Sequence, residues 1–420
     1  MRLIVQDNLW FTGAPTYANY EIDGQTMIPV APLLGRTDSS DLAVKLQELQ
    51  WLLRYTGRTG SGLVIAQEWI KPGDLIDRNL GPWIELFARH AGRARWILFY
   101  DPVLAVRQRG LGRAPIDFSR PEVRELWESD LDYLAREYFS ADRYWHRGGK
   151  PVLYVWAVHG LRNFHDAFAS AAARGVYLLG DVLGSDVDPG PISAATGFVA
   201  ALPGREPGDR GYDEFLDDLA GELGTWSRRA AESGLDFIPA ASLQYDDTEF
   251  QSALGPDQSR PPTRIVARER ADLTRLLLLL SAHAPAEAIF LGTANNWAEG
   301  TTCLPTVRPG RRYRPPRIGS YFFDHLETVR ETLFPGVDPY DGPALVERPP
   351  RGGRVRRELL DADFAGQVRV RGEAELVTGR NCRRSLVGDP LRVTVRNRDG
   401  RKLRWERAEA PAAPPAAPRP

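Results

Sequence analysis

The stretch Ala288-Ile-Phe-Leu-Gly-Thr-Ala-Asn-Asn-Trp-Ala-Glu-Gly-Thr-Thr-Cys-Leu-Pro305 concentrates groups able to do chemistry. Its first residues, Ala288 to Leu291, are a short apolar run of the kind that makes a buried strand. Polar groups follow at once: Asn295, Asn296, Trp297 and Glu299. In parallel α/β proteins the carboxyl ends of strands are where ligands bind. An indole can stack on a sugar face, two amides can bond hydroxyls, and a carboxyl group can move a proton. A loop with a buried tryptophan and a solvated glutamate accounts for the same residues, so this stretch alone leaves both readings open.

Other strand-like runs also end in acids. Glu68 follows the second run, Asp101 the third, Asp181 the fifth, and Asp246 with Asp247 the seventh. Trp69, Tyr100, Trp156, Tyr245 and Trp297 accompany them, and His159 sits at the end of the fourth run. Carboxylates gathered with aromatics are the equipment for cleaving or transferring a glycosyl group. Singly, each acid is more often a cap or an ion-pair partner; recurrence at the strand ends favours a shared site. The other constellations are weak. Six histidines form no His-x-His or His-Glu-x-x-His pair, so no metal site is expected, and no cofactor motif is present. No Gly-x-Ser-x-Gly elbow occurs. Cys303 reads as a small half-buried residue, and Asp186-Val-Asp188 as a turn.

The elements that must position these groups alternate along the chain. Strands are expected at Arg2 to Val5, Gly62 to Ala66, Arg95 to Tyr100, Pro151 to Trp156, Val176 to Leu179, Gly197 to Leu202, Leu235 to Ala240 and Ala288 to Leu291. Helices are expected at Asp38 to Tyr55, Leu80 to His90, Pro121 to Tyr138, Asn163 to Ala173, Tyr212 to Ser233, Arg264 to Ala284 and Ile318 to Leu333. Eight strands separated mostly by helices within residues 1–335 is the pattern of a (β/α)8 TIM-type barrel. Residues 336–353, rich in Pro and Gly, read as a linker. Residues 354–407 read as a small β-rich appendage, with Asp399-Gly400 at a hairpin turn, and residues 408–420 as a disordered Ala/Pro tail.

Composition bounds the rest. With 420 residues, 43% hydrophobic and 26% charged, the chain is an ordinary globular protein, and its net charge of −1 argues against nucleic-acid binding. Basic residues are nearly all arginine; only Lys45, Lys71, Lys150 and Lys402 are lysines. Two cysteines, no leader-like N-terminus and no apolar run of spanning length point to a soluble, cytoplasmic protein without a transmembrane segment.

Asn295-Asn296-Trp297-Ala298-Glu299-Gly300-Thr301 resembles the Asn-Glu-Trp-x-Glu-Gly-Thr signature of glycoside hydrolase family 99, the endo-α-mannosidase family, and of the related WbsX-like proteins. Pro32-Leu-Leu-Gly-Arg-Thr-Asp-Ser-Ser-Asp41 and Phe237-Ile-Pro-Ala-Ala-Ser-Leu-Gln-Tyr-Asp-Asp-Thr248 resemble two further family segments in the same order. The resemblance spans roughly residues 25 to 335. It implies a (β/α)8 fold, a glycan substrate, and retaining chemistry through a 1,2-anhydro sugar. In that scheme one signature carboxylate takes a proton from the sugar 2-hydroxyl and the other is the general acid. Glu299 matches the acid. Asn296 stands at the base position, and an amide cannot take a proton. Another acid, Asp101 or Glu68, then supplies the base, or the chemistry has changed, or the protein binds glycan without cleaving it. The expected activity is that of a glycoside hydrolase or transglycosylase acting on a bacterial polysaccharide or glycoconjugate. A glycan-binding barrel is the alternative, as is a glycosyltransferase-like protein, for which no nucleotide-sugar motif is seen.

Overall fold

The computed structural model describes residues 1–11, 38–57, 59–112, 115–182, 185–197, 211–254, 270–297, 299–304 and 324–337. It also describes Ile28, short strands at 21–22, 25–26, 208–209 and 263–265, and the backbone of six strands between 344 and 406. Eight parallel strands run in chain order: β1 (Arg2–Asp7), β2 (Leu63–Trp69), β3 (Arg95–Tyr100), β4 (Lys150–Val155), β5 (Tyr177–Asp181), β6 (Ala194–Thr196), β7 (Asp236–Phe237) and β8 (Ala288–Thr293). Each of β1 to β6 pairs with the next, and β8 returns to pair with β1. The last gap closes where the chain beyond β7 meets β8. There Ala240 bridges Phe290, Phe290 N–H donates to Pro239 O at 2.9 Å, and Ala241 N–H donates to Phe290 O at 3.0 Å. The architecture is a (β/α)8 barrel.

Strand chemistry follows from this closure. Both faces of each strand are covered, so the sequences are near-continuous apolar runs. Side chains alternate between two separate cores. Ile4, Val64, Ala66, Ile97, Phe99, Val152, Tyr154, Leu179, Ile238, Ala240 and Phe290 fill the barrel interior. Leu3, Val5, Leu63, Ile65, Trp69, Leu98, Tyr100 and Leu153 pack outward against helices. Tyr154 stacks on Phe99 with centroids 4.4 Å apart and approaches Phe290 from across the barrel at 5.1 Å. This aromatic layer plugs the barrel below its carboxyl-end rim.

The helices are α1 (Leu42–Leu52), α2 (Leu75–His90), α3 (Pro102–Gln108), α4 (Pro121–Glu137), α5 (His165–Ala173), α6 (Tyr212–Glu232), α7 (Thr248–Leu254), α8 (Arg270–Ala282) and α9 (Asp324–Leu333). α4 begins at Pro121, whose missing N–H costs nothing in a first turn, and buries Val123, Trp127, Asp130, Leu131 and Leu134 at helical spacing. α2 is capped by Asp74, which accepts from Asp77 N–H at 2.8 Å.

The structure corrects several sequence boundaries. The sixth strand is Ala194–Thr196, upstream of the expected Gly197 to Leu202, most of which lies outside the described residues. Two alanines and a threonine give too weak an apolar signal to stand out. The helix expected from Arg264 starts at Arg270, because Thr263–Ile265 pairs instead with Tyr245–Asp246. The stretch read as a linker holds a strand, Ala344–Arg351, antiparallel to Arg354–Leu360; its two prolines obscure the pattern. A four-stranded sheet formed by 366–370, 373–377, 392–396 and 402–406 follows. The Ala/Pro stretch 408–420 lies outside the described residues. No described helix is long and apolar enough to cross a membrane.

Candidate active site

Strand alternation decides which of the expected residues face the barrel axis. On β2, Val64 and Ala66 point inward, so Glu68 does too, and Trp69 must point out. On β3, Ile97 and Phe99 point inward, so Asp101 follows them at the rim and Tyr100 points out. Trp156 and Asp181 continue the inward sets of β4 and β5. The rim therefore collects Glu68, Asp101, Trp156 and Asp181 from four consecutive strands.

Their environments differ. Glu68 is 2% exposed, and its Oε2 accepts no hydrogen bond among the described residues. Burial pushes its pKa well above the carboxylate range, and the charges of Asp101 and Asp74 push the same way. Asp101 caps α3, with Oδ1 accepting from Leu104 N–H at 2.8 Å. Burial pushes it up to about 6 against the pull of the Leu104 and Val103 amides. The charge of Asp101, when it forms, helps to hold Glu68 neutral. Asp181 accepts from Ala157 N–H at 3.0 Å and fixes the turn in which Ala157 adopts φ +50°. His159, exposed on that turn, bonds the Asp181 backbone.

The loop after β8 brings Glu299 to the rim. Gly292 has φ +51°, and β8 shifts register there against β1, which turns the chain over the end of β1. A Cβ at Gly292 would meet Ser242 Oγ at 2.4 Å, so the approach of the β7 extension also needs the glycine. Asn296 Nδ2 donates to Glu299 Oε2 at 2.7 Å, and Glu299 N–H donates to Asn296 Oδ1 at 3.3 Å. Asn296 is thus the holder of Glu299. Glu299 O accepts from Asp246 N–H at 2.9 Å, and Gly300, at φ +57°, leaves room for the Asp246 backbone.

Several expected contacts lie elsewhere. Trp69 stacks on Tyr100 and Tyr133 outside the barrel and donates to Asp77 Oδ1 at 2.8 Å. Tyr100 donates to Asp130 Oδ2 at 2.9 Å, and Asp130 is clamped by Arg109 at 2.7 Å. Neither can line the pocket, because each neighbours an inward acid on the same strand. Trp297 is 2% exposed within the outer core, not free to stack on a sugar. Tyr245 is buried there too and donates to Asp247 Oδ2 at 3.0 Å. Asp247 also accepts from Gln251 Nε2 and Thr263 N–H, while Asp246 pairs with Arg264 at 3.2 Å and accepts from Thr248. Both aspartates hold the 245–265 ribbon together. Asn295 accepts from Asn8 N–H at 2.7 Å and donates to Asp7 Oδ1 at 2.8 Å, in the barrel wall.

Sequence reasoning missed this wall: Asp7, Asn8, Lys45, Glu48 and Gln67 are all buried; Asp7 and Asn8 bond Asn295 directly, Lys45 and Gln67 reach it through Asp7, and Glu48 bonds Lys45. The available signal was one of only four lysines in a chain rich in arginine, and Lys45-x-x-Glu48 reads as a solvated helical pair. Cys303 is fully buried rather than half-buried.

No protein-family model and no curated protein sequence matches the chain. Solved structures do. A GH99 endo-α-mannosidase from Bacteroides thetaiotaomicron superposes with a TM-score of 0.56 at 16% identity, over 78% of this chain and 95% of that one; it holds bis-tris propane. A second structure of a GH99 endo-α-mannosidase from that organism gives 0.56 at 15% identity, over 79% and 97% of the two chains. The chain has the family 99 glycoside hydrolase fold. A further structure, a glycoside hydrolase-like protein, superposes at 0.55 with 12% identity over 79% of this chain and 93% of that one. At these identities the likeness concerns the family 99 barrel and leaves its chemistry to be argued from residues.

Proposed function

We propose that this family 99-like barrel is a carbohydrate-active enzyme acting on a glycosidic bond of a bacterial polysaccharide or glycoconjugate. The observation that carries the reading is that strand parity gathers the carboxyl groups of Glu68, Asp101 and Asp181 at one rim, with Glu68 and Asp101 in different environments, at the end of the barrel from which the β8 loop carries Glu299. Carboxyl groups whose surroundings push their pKa values apart are how one site runs acid and base chemistry together. Glu299, held by Asn296, is the general acid that gives its proton to the leaving glycosidic oxygen. Asp101, ionised above about pH 6, is the base, taking a proton from the sugar 2-hydroxyl or from water with the oxygen not committed to the helix cap. Glu68, kept neutral, donates a hydrogen bond to substrate. Trp156 and His159 line the rim beside them.

A glycan-binding barrel is the second reading, favoured by one observation: the amide at position 296 is committed to Glu299 and cannot serve as a base. Glu299→Gln separates the two. Turnover of aryl α-mannosides and α-linked manno-oligosaccharides should fall by about 10²–10⁴-fold, while calorimetric binding of bis-tris propane, a polyhydroxylated diamine, should persist. Binding of oligosaccharide by the wild type without turnover of any glycoside offered would replace the enzyme reading with the binding one.

A further inference from the structure

Lys45 is one of four lysines in the chain and is 2% exposed on α1, outside the barrel wall. Its ammonium uses three short contacts: Glu48 Oε2 at 2.8 Å, Asn8 O at 3.0 Å and Asp7 Oδ1 at 3.3 Å. Asp7, at the end of β1, also accepts from Gln67 Nε2 of β2 at 2.9 Å and from Asn295 Nδ2 at 2.8 Å. Asn295 completes its set with Asn8, donating to the carbonyl at 3.1 Å and accepting from the amide at 2.7 Å. The next residue in the chain is Asn296, which holds Glu299. A continuous path of hydrogen bonds therefore joins α1, β1 and β2 to the loop that carries the acid.

Burial alone would lower the Lys45 pKa, but Asp7 and Glu48 outweigh it and hold the ammonium charged. Burial pushes Glu48 up to about 7, with Lys45 pulling it down and Asp7 pushing it further up. Buried ion clusters of this kind seldom stabilise a fold more than apolar residues of the same volume; their best-attested use is to fix one register among several. The segment with a register to fix is the one leaving β8. The strand shifts register against β1 between Ile4 and Gln6, and Ala294 N–H then donates to Gln6 O at 2.6 Å.

We propose that Lys45 is a positioning residue for the active site: through Asp7 and Asn295 it locks the chain leaving β8 onto the end of β1, and so sets where Glu299 stands at the rim. The assignment rests on Glu299 as the proton donor, but the lock itself does not. Lys45 touches no substrate. Its ammonium satisfies a backbone carbonyl and two carboxylates at once, and a planar guanidinium, with its donors in a rigid fork, does not reproduce that arrangement.

The test uses the full chain with three substitutions, Lys45→Met, Lys45→Arg and the pair Lys45→Met with Glu48→Leu. The single Met variant leaves Glu48 and Asp7 buried without their cation and is expected to melt well below wild type, so the pair is the informative protein. Removing both the ammonium and Glu48 should recover part of that loss, with Asp7 keeping its bonds to Gln67 and Asn295, while hydrogen exchange of backbone amides at 294–300 rises at least tenfold and that of β4 and β5 does not change. Turnover should fall at least tenfold, with KM for the same aryl glycoside changed much less, and Lys45→Arg should not restore it. Unchanged exchange at 294–300 in a folded double variant overturns the proposal, as does wild-type turnover. If the wild type turns over no glycoside, selective loosening of 294–300 still upholds the lock, and only the enzymatic reading falls.

Discussion

Replacing Asp101 by Asn tests the electrostatics of the rim without disturbing its architecture. The amide oxygen of Asn can accept from Leu104 N–H as Asp101 Oδ1 does, so the cap of α3 survives. The charge does not. Burial raises Asp101 from 3.8 to about 6, a gap of about two pH units, worth about 3 kcal/mol at roughly 1.36 kcal/mol per unit. The sign follows from proton binding. Between about pH 4 and 6 the folded protein keeps the Asp101 proton while the unfolded chain has released it, so stability falls as pH rises through this window. It is fully present below about pH 4 and lost above about pH 6. Asp130, at about 6, and Glu48, at about 7, slope the same way in both proteins and cancel in the comparison. The assay is urea unfolding of wild type and Asp101→Asn at intervals from pH 4 to 7.5. The difference between them should shift by about 3 kcal/mol in favour of the variant across the window and be flat above it. Parallel stability curves would mean that Asp101 is solvated and ionised normally, and the argument for a base separated in pKa from Glu68 would go with it.

Other outcomes follow from the same geometry. With Asp101 as base, kcat/KM should rise with pH through about 6, and a pH profile flat between 5 and 7 removes it from that role. Gly300→Ala should cost about 1–3 kcal/mol in thermal or urea unfolding, because Gly300 has φ +57° and a Cβ there would sit 2.7 Å from Asp246 O. Tyr100→Phe removes the hydroxyl bonded to Asp130 and should lower stability by about 1–2 kcal/mol while leaving glycan affinity and turnover unchanged. A change in affinity would return Tyr100 to the pocket.

Much of this protein was legible in its sequence. The apolar runs at Arg95 to Tyr100 and Ala288 to Leu291 are strands because barrel strands are buried on both faces and must be apolar throughout. The acids that end them announce the rim, since only functional or capping groups are left where a strand meets the loops. Parity was written there as well: Glu68 and Trp69 are neighbours, so one of them had to leave the pocket, as did Tyr100 beside Asp101. What the sequence did not carry was the pairing of distant segments. Asp246 and Asp247 look like site acids until Thr263–Ile265 is brought alongside and occupies them. Trp297 looks like a sugar platform until the loop folds it into the outer core. Lys45 looks like a solvated helix residue until the closure of β8 on β1 brings Asn295 to Asp7. Local pattern states which groups are available; whether each is spent on the fold or left facing the rim depends on partners 16 to 288 residues away, and only the tertiary structure supplies them.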